Sequence, residues 1–147
     1  FIKGTEFTVA VLGNNDPQAM PVVQVSVDGI LDLGDQFYTN ELVTSSRLKY
    51  ICPAKISEDL TGQIQKLAER VYKCVDCRDW GRVDFRVDEQ GNPYVLEINP
   101  LPSLDVQDVF NIFPNVFGSD YNKIINQVID YALQRYGIKE TSTASIH

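Results

Sequence analysis

Residues 80–99 read WGRVDFRVDEQGNPYVLEIN, and the rest of the chain is interpreted around this segment. Two runs in which apolar and polar residues alternate flank a polar, glycine-containing segment, which is the pattern of an antiparallel β-hairpin. The alternating apolar residues are Val83, Phe85 and Val87 in the first arm and Tyr94, Leu96 and Ile98 in the second. Residues 89–92 are then predicted to form a four-residue loop between the two strands.

A loop of this length sets the pairing of the two arms. It places Asp88 opposite Pro93, Arg86 opposite Val95, Asp84 opposite Glu97 and Arg82 opposite Asn99. Residues directly opposite each other lie about 4.5–5.5 Å apart at Cβ, where two carboxylates destabilise a sheet unless a cation lies between them. The predicted pairing of Asp84 with Glu97 therefore requires a positive charge close to the two carboxylates.

The donor atoms on this face are carboxylate and amide oxygens. Such hard ligands suit Mg²⁺ held beside the phosphates of a nucleotide, so Asp84, Glu97 and Asn99 are candidate metal ligands. Arg82 would add a fixed positive charge where phosphate charge develops. The spacing alone fits a second interpretation equally well, in which the two acids lie on a solvated face and are neutralised by Arg82 and Arg86.

Composition limits the class of protein. The 147 residues are 44% hydrophobic and 22% charged, which is typical of one globular domain. The net charge of −7 argues against nucleic-acid or anionic-membrane partners, because both require a basic surface. No apolar stretch approaches the length of a membrane span, and three cysteines fit a reducing compartment, so we expect a cytoplasmic protein.

The remaining sequence predicts strands first and helices later. Residues 6–12 and 21–27 are β-rich runs separated by a turn cluster at 13–17, which predicts a second antiparallel hairpin. Residues 28–53 show no sustained period and predict a long surface loop. Because Phe1 is not a methionine and a strand begins almost at once, we expect the chain to be part of a larger protein.

Two helices are predicted from apolar residues at helical spacing. The first covers residues 57–75 with Ser57 as its N-cap, and the second covers residues 119–136 with Ser119 or Asp120 as its N-cap and Gly137 as its stop. Residues 138–147 predict a flexible tail after a domain of residues 1–137. The predicted class is α+β, an antiparallel sheet with helices on one face.

Four motifs resemble one known family in the order in which they occur. They are Gly4 to Val9, Lys49-Tyr50 with Cys52-Pro53-Ala54, Cys77 to Phe85, and Leu96 to Pro100. They resemble the ATP-grasp ligases and, within them, the C-terminal domain of the D-alanine:D-alanine ligase family, over about residues 2–137. The resemblance implies the C-terminal part of an ATP-grasp fold and favours the metal interpretation of the hairpin.

The resemblance also implies roles for single residues. ATP and Mg²⁺, or Mn²⁺ in its place, would be the cofactors, with Asp84, Glu97 and Asn99 as metal ligands and Arg82 as the catalytic cation. Glu6 would bind the ribose of ATP, Lys49 its phosphates, and Leu96 would form part of the floor under adenine. The implied reaction joins two amino acids through an acylphosphate, a step of peptidoglycan synthesis.

The sequence departs from the family at two substrate positions. Ser103 replaces a glycine whose N–H binds the oxyanion, and Asp108 replaces a serine that binds the carboxylate of the second amino acid. Two alternatives therefore stay open, a ligase with a different acceptor and a non-catalytic nucleotide- or metal-binding module. The implied partners are ATP, small amino acids and the N-terminal part of the same protein, and a homodimer is compatible with the sequence.

Overall fold

The structure is a computed structural model that describes residues 1–32, 34, 47–104, 109–118 and 120–138. Its strands are β1 (Thr5–Leu12), β2 (Gln18–Ala19), β3 (Val23–Val27), β4 (Leu48–Ile51), β5 (Trp80–Val87) and β6 (Pro93–Asn99). Its helices are α1 (Glu58–Cys74), α2 (Phe113–Phe117) and α3 (Tyr121–Arg135), with a 3₁₀ turn at Val109–Asn111. The strands form one antiparallel sheet in the order β4-β3-β1-β5-β6, and β2 pairs with the end of β1.

The first face of the sheet packs against α1. Phe7 lies opposite Phe85 in the β1–β5 pair, and alternate residues of these strands point to the same side. This side forms a core with the buried helix residues Ile64, Ala68 and Tyr72. Ser57 caps α1 as predicted, because its hydroxyl accepts a hydrogen bond from the Leu60 N–H at 3.2 Å.

The second face of the sheet carries another core at one end. Ala10, Leu12 and Trp80 pack there against residues from the 3₁₀ turn, α2 and α3, namely Val109, Phe110, Phe113 and Ile124. The antiparallel α+β class is therefore confirmed, but the placement of all helices on one face is wrong. Neither the 3₁₀ turn nor α2 was predicted, because each is too short to show a helical period.

A cluster of polar side chains joins α3 to the sheet. The Arg135 guanidinium donates to both carboxylate oxygens of Asp79, at 3.1 Å from Nε and 2.6 Å from Nη2. Asn14 adds a hydrogen bond from Nδ2 to Asp79 Oδ1 at 2.9 Å and one from Nδ2 to the Tyr131 carbonyl at 3.0 Å. Asp120 is the N-cap of α3, and the helix ends before Gly137, which has a positive φ.

The hairpin of β5 and β6 corrects the predicted loop. Asp88 belongs to the loop, where its carboxylate accepts hydrogen bonds from the backbone of Gln90 and Asn92 and from the Asn92 side chain. The loop therefore has five residues, and Val87 rather than Asp88 pairs with Pro93. Arg86 accordingly lies opposite Tyr94 and not Val95 as predicted.

A β-bulge at Leu96 restores the predicted pairing farther along the hairpin. Phe85 pairs with Val95 and Asp84 with Glu97, so Leu96 is one extra residue on β6. The alternation in which Tyr94, Leu96 and Ile98 share a face is therefore wrong, since Tyr94 changes sides. The two pairs that matter for the predicted site, Asp84 with Glu97 and Arg82 with Asn99, are confirmed.

The region predicted as a long loop contains a strand. Residues 48–51 form β4, which pairs with β3, and the predicted loop is wrong at this position. Most of the remaining loop, residue 33 and residues 35–46, lies outside the described residues, as do Ser119 and the predicted tail from residue 139 onward. None of the helices in the described ranges is long and apolar enough to cross a membrane.

Candidate metal and nucleotide site

The candidate site lies on the second face of the sheet, beside the core that contains Trp80. Three neighbouring strands contribute to it, because Thr8 of β1 lies opposite Asp84 of β5, and Asp84 lies opposite Glu97 of β6. Two pairs farther along the hairpin, and on the same face, Arg82 lies opposite Asn99. The sheet therefore brings the predicted catalytic cation and all three predicted metal ligands onto one face.

Asp84 has hydrogen bonds from two sides. Thr8 Oγ1 donates to Asp84 Oδ1 at 2.5 Å, while Arg82 donates from Nε to Oδ1 and from Nη2 to Oδ2, both at 3.2 Å. The Asp84 side chain is 22% exposed. Positive charge beside this carboxylate is thus supplied by Arg82 in the structure, which is the neutralisation that the alternative interpretation expected.

The other two candidate ligands are more accessible. The Glu97 side chain is exposed, and its carboxylate makes no hydrogen bond or ion pair with any residue in the described part of the chain. Asn99 is half-buried, and its Oδ1 accepts a hydrogen bond from the Leu101 N–H at 3.1 Å. An amide oxygen has two lone pairs, so this bond leaves Asn99 one acceptor position.

Glu6 lies on the same face of the sheet, two residues before Thr8 in β1. It is opposite Arg86, and the Arg86 Nη2 to Glu6 Oε1 distance is 3.6 Å. The Glu6 side chain is only 12% exposed. Burial raises its pKa above the ordinary value, the Arg86 guanidinium lowers the pKa in part, and the nearby Asp84 carboxylate raises it further.

The remaining predicted residues are placed less favourably. Lys49 lies on β4 opposite Ser26, whose side of the sheet is that of Gln24 and Phe7. Lys49 is therefore on the α1 face, across the sheet from Asp84, and the structure does not bring it to the site. Leu96 is 49% exposed at the bulge, Ser103 is exposed after the turn, and Asp108 lies outside the described residues.

Thr8 is a contributor that the sequence did not predict. The sequence feature that points to Thr8 is its position two residues after Glu6, which places both side chains on the same face of the strand. The contact with Asp84 joins residues 76 apart, and it follows from the pairing of β1 with β5. Nothing local in the sequence specifies that pairing.

The oxygen donors fit a divalent cation that is shared with phosphate. Two carboxylates and an amide oxygen match the hard ligands of Mg²⁺, which is usually held by one or two carboxylates together with phosphates and water. Among residues 1–32, 34, 47–104, 109–118 and 120–138, no three His, Cys, Asp or Glu side chains cluster as a metal cage. A cation at Asp84 and Glu97 would therefore rely on further oxygens from a nucleotide.

The fold and its site define the C-terminal module of an ATP-grasp protein. The profile of the D-ala D-ala ligase C-terminus family matches residues 1–130, and the chain belongs to this family. A D-alanine--D-alanine ligase of Pelotomaculum thermopropionicum is 34% identical over 140 residues, which are 95% of this chain and 42% of that protein. One of Desulforamulus reducens is 32% identical over 136 residues, or 92% of this chain and 41% of that protein.

Solved structures show the same fold. The D-alanine-D-alanine ligase from Coxiella burnetii has a TM-score of 0.71 and 25% identity, and the match covers 93% of this chain and 34% of that one. The Bacillus anthracis D-alanine--D-alanine ligase complexed with ATP has a TM-score of 0.68 and 20% identity, and the match covers 95% of this chain and 40% of that one. The chain spans about two fifths of the length of each of the two curated relatives named above.

Proposed function

We propose that this chain is the nucleotide- and metal-binding part of an ATP-dependent ligase that joins a carboxylate to an amine. The observation that carries the proposal is the Asp84–Glu97 pair, two acids directly opposite on neighbouring strands, with Arg82 and Asn99 two pairs away on the same face. Such a pair is unfavourable without compensating positive charge. Arg82 contacts Asp84, but the Glu97 carboxylate has no cationic partner among the described residues. Membership in the D-ala D-ala ligase C-terminus family supports ATP as the source of the phosphates.

In the proposed reaction, the γ-phosphoryl group of ATP passes to a carboxylate oxygen of one amino acid and leaves ADP. The amine of a second amino acid then attacks the carbonyl carbon of this acylphosphate. The carbon–oxygen bond to phosphate breaks, the amide bond forms, and the amine loses a proton. The names of the curated relatives support D-alanine as the amino acid in both positions.

Each candidate residue would bind a different part of ATP or its metal ion. Asp84, Glu97 and Asn99 would hold Mg²⁺, or Mn²⁺ in its place, which when bound neutralises phosphate charge. Arg82 would stabilise negative charge on the transferred phosphoryl group. Glu6 would accept a hydrogen bond from the ribose, and Leu96, exposed at the bulge, would contact adenine. Lys49 is left out of this set because its pairing places it on the other face.

A ligase with a different acceptor is the second candidate. Asp108 stands where the family has a serine that binds the acceptor carboxylate, and an aspartate there would repel that group. Ser103 keeps a backbone N–H at the oxyanion position, so its change affects the chemistry less. The D-Ala:D-Ser ligase VanG from Enterococcus faecalis has the same fold, with a TM-score of 0.69, and this supports a different acceptor as the alternative.

The location and assembly of the intact protein are also proposals. We propose a cytoplasmic protein, since Cys52, Cys74 and Cys77 are all free thiols, as a reducing compartment would keep them. The intact protein would include an N-terminal part that completes the nucleotide site.

The test is phosphate release by the intact protein supplied with ATP, Mg²⁺ and a panel of D- and L-amino acids. We expect release with D-alanine, or with one other pair if Asp108 has changed the acceptor. No release across the whole panel would refute the ligase and leave a binding module.

Glu97→Gln tests the metal assignment within the same assay. It removes one charge of the pair without changing its size, so we expect turnover to fall at least about 100-fold, as on loss of a group that stabilises transition-state charge. Glu89→Gln is the matched control, because Glu89 is an exposed residue of the hairpin loop. Equal activity of the two variants would contradict the assignment.

A further inference from the structure

We propose that Thr8 is a positioning residue for the divalent cation and that its hydroxyl fixes the orientation of the Asp84 carboxylate. This inference rests on the proposed function, because it concerns the cation that Asp84 and Glu97 would bind. None of the residues assigned above performs this task.

The position of the Thr8 hydroxyl is fixed by the sheet. Thr8 lies on β1, between β3 and β5, with Val23 on one side and Asp84 on the other. Thr8 is 4% exposed, and a β-branched side chain has few rotamers. The position of its hydroxyl is therefore restricted. Its 2.5 Å bond to a carboxylate is of the short, charge-assisted kind.

The hydrogen bonds on Asp84 show which oxygen is available. Within the described part of the chain, Oδ1 accepts from Thr8 Oγ1 and from Arg82 Nε, whereas Oδ2 accepts only from Arg82 Nη2. Since each carboxylate oxygen offers about two acceptor positions, Oδ1 is filled by the described residues and Oδ2 keeps one position. Asp84 would therefore offer Oδ2 to a cation, while the hydrogen bond from Thr8 to Oδ1 restrains rotation of the carboxylate.

Arg82 cannot perform this task alone. Its guanidinium is itself a cation, so a divalent ion bound to Asp84 repels it and weakens its hold on the carboxylate. The Thr8 hydroxyl is neutral and buried, and it keeps its bond when the cation arrives. Outer hydrogen-bond partners of this kind typically contribute about 10–100-fold to metal affinity.

The experiment measures Mn²⁺ binding to the intact protein by the electron paramagnetic resonance of free Mn²⁺, with ATP present. Thr8→Val removes the hydroxyl and keeps the shape, and we expect it to weaken Mn²⁺ binding about 10–100-fold. Thr8→Ser keeps the hydroxyl and should bind nearly as the wild type does. ATP binding measured in EDTA should be the same in all three proteins.

The controls separate this proposal from a general loss of structure. Ser26→Ala removes a buried hydroxyl from the other face of the same sheet and should leave Mn²⁺ affinity unchanged. Thr8→Ala gives a second hydroxyl-free protein, and thermal unfolding monitors the fold of each variant. Wild-type affinity in the folded Val and Ala variants would overturn the proposal, as would an equal loss in Thr8→Ser. Absence of Mn²⁺ binding by the wild type would instead refute the proposed function.

Discussion

Gly4 determines how closely the start of β1 approaches β5. Its φ is +142°, and a Cβ at this position would lie 1.9 Å from the Val87 carbonyl oxygen. The Val87 carbonyl belongs to the backbone of β5, so it cannot move away without disturbing the strand. We expect Gly4→Ala to lower the free energy of unfolding by about 3 kcal/mol, measured by urea denaturation. Gly62→Ala is the control, since nothing lies within 4 Å in α1 and the change should add about 0.5–1 kcal/mol.

Asp79 gives the stability of the chain a defined dependence on pH. Its hydrogen bonds from Arg135, and then from Asn14, hold the pKa of its carboxyl below the ordinary value of 3.8, against the effect of burial. Because the pKa is lower in the folded state, ionised Asp79 stabilises the folded protein at pH values above the unfolded-state pKa. This stabilisation is lost as the pH falls through the folded-state pKa. We expect Asp79→Asn to cost about 1.5–3 kcal/mol at pH 7.

The difference between wild type and Asp79→Asn should shrink as the pH drops below 4. Urea denaturation of both proteins between pH 7 and pH 2 measures it. A constant difference over this range would show that the charge of Asp79 is not what holds α3 to the sheet.

Among the elements of the fold, the bulge in β6 separates the proposed metal ligands from the apolar surface at Leu96. Deleting Leu96 removes the unpaired residue and leaves Glu97 opposite Asp84. We therefore expect the deletion to keep Mn²⁺ binding while weakening ATP binding, measured separately by paramagnetic resonance and by fluorescence of a labelled nucleotide. Deleting Ile98, a paired residue, moves Asn99 to the other face and should weaken Mn²⁺ binding. Identical effects of the two deletions would contradict this division.

The elements also show what the sequence could predict. α1, α3 and the arms of the hairpin have long apolar periods or clear caps, and they were predicted close to their observed bounds. The pairing of Asp84 with Glu97 was predicted as well, although two opposite errors contributed, one in the loop at Asp88 and one at the Leu96 bulge. Sequence alone could not give β4 or the contact of Thr8 with Asp84, because both depend on pairing between distant strands.

At the scale of the whole molecule, one sheet serves two cores. Trp80, the only tryptophan, is 8% exposed and lies in the second core, with its ring centroid 5.0 Å from that of Phe110. Trp80 fluorescence reports on the second core alone, whereas far-ultraviolet circular dichroism reports on the secondary structure of the whole chain, including α1 on the opposite face. We expect their unfolding curves to coincide, because β1 and β5 contribute to both cores.

Phe110→Ala tests this coupling. It opens a cavity beside Trp80 and should lower the free energy of unfolding by about 3–5 kcal/mol, with both probes shifted equally. Ile129→Ala on the exposed side of α3 is the control and should change stability little. A shift seen by fluorescence alone would show that the second core unfolds independently.

The arrangement of β1 limits how this module can diversify. Its odd-numbered residues from Phe7 to Val11 belong to the first core, while Glu6 and Thr8 belong to the site. Strands on both sides lock its register, so one residue of slippage would exchange the two sets. Substitutions in the outer strand and the connections are thus expected to disturb the fold less than substitutions in this central segment.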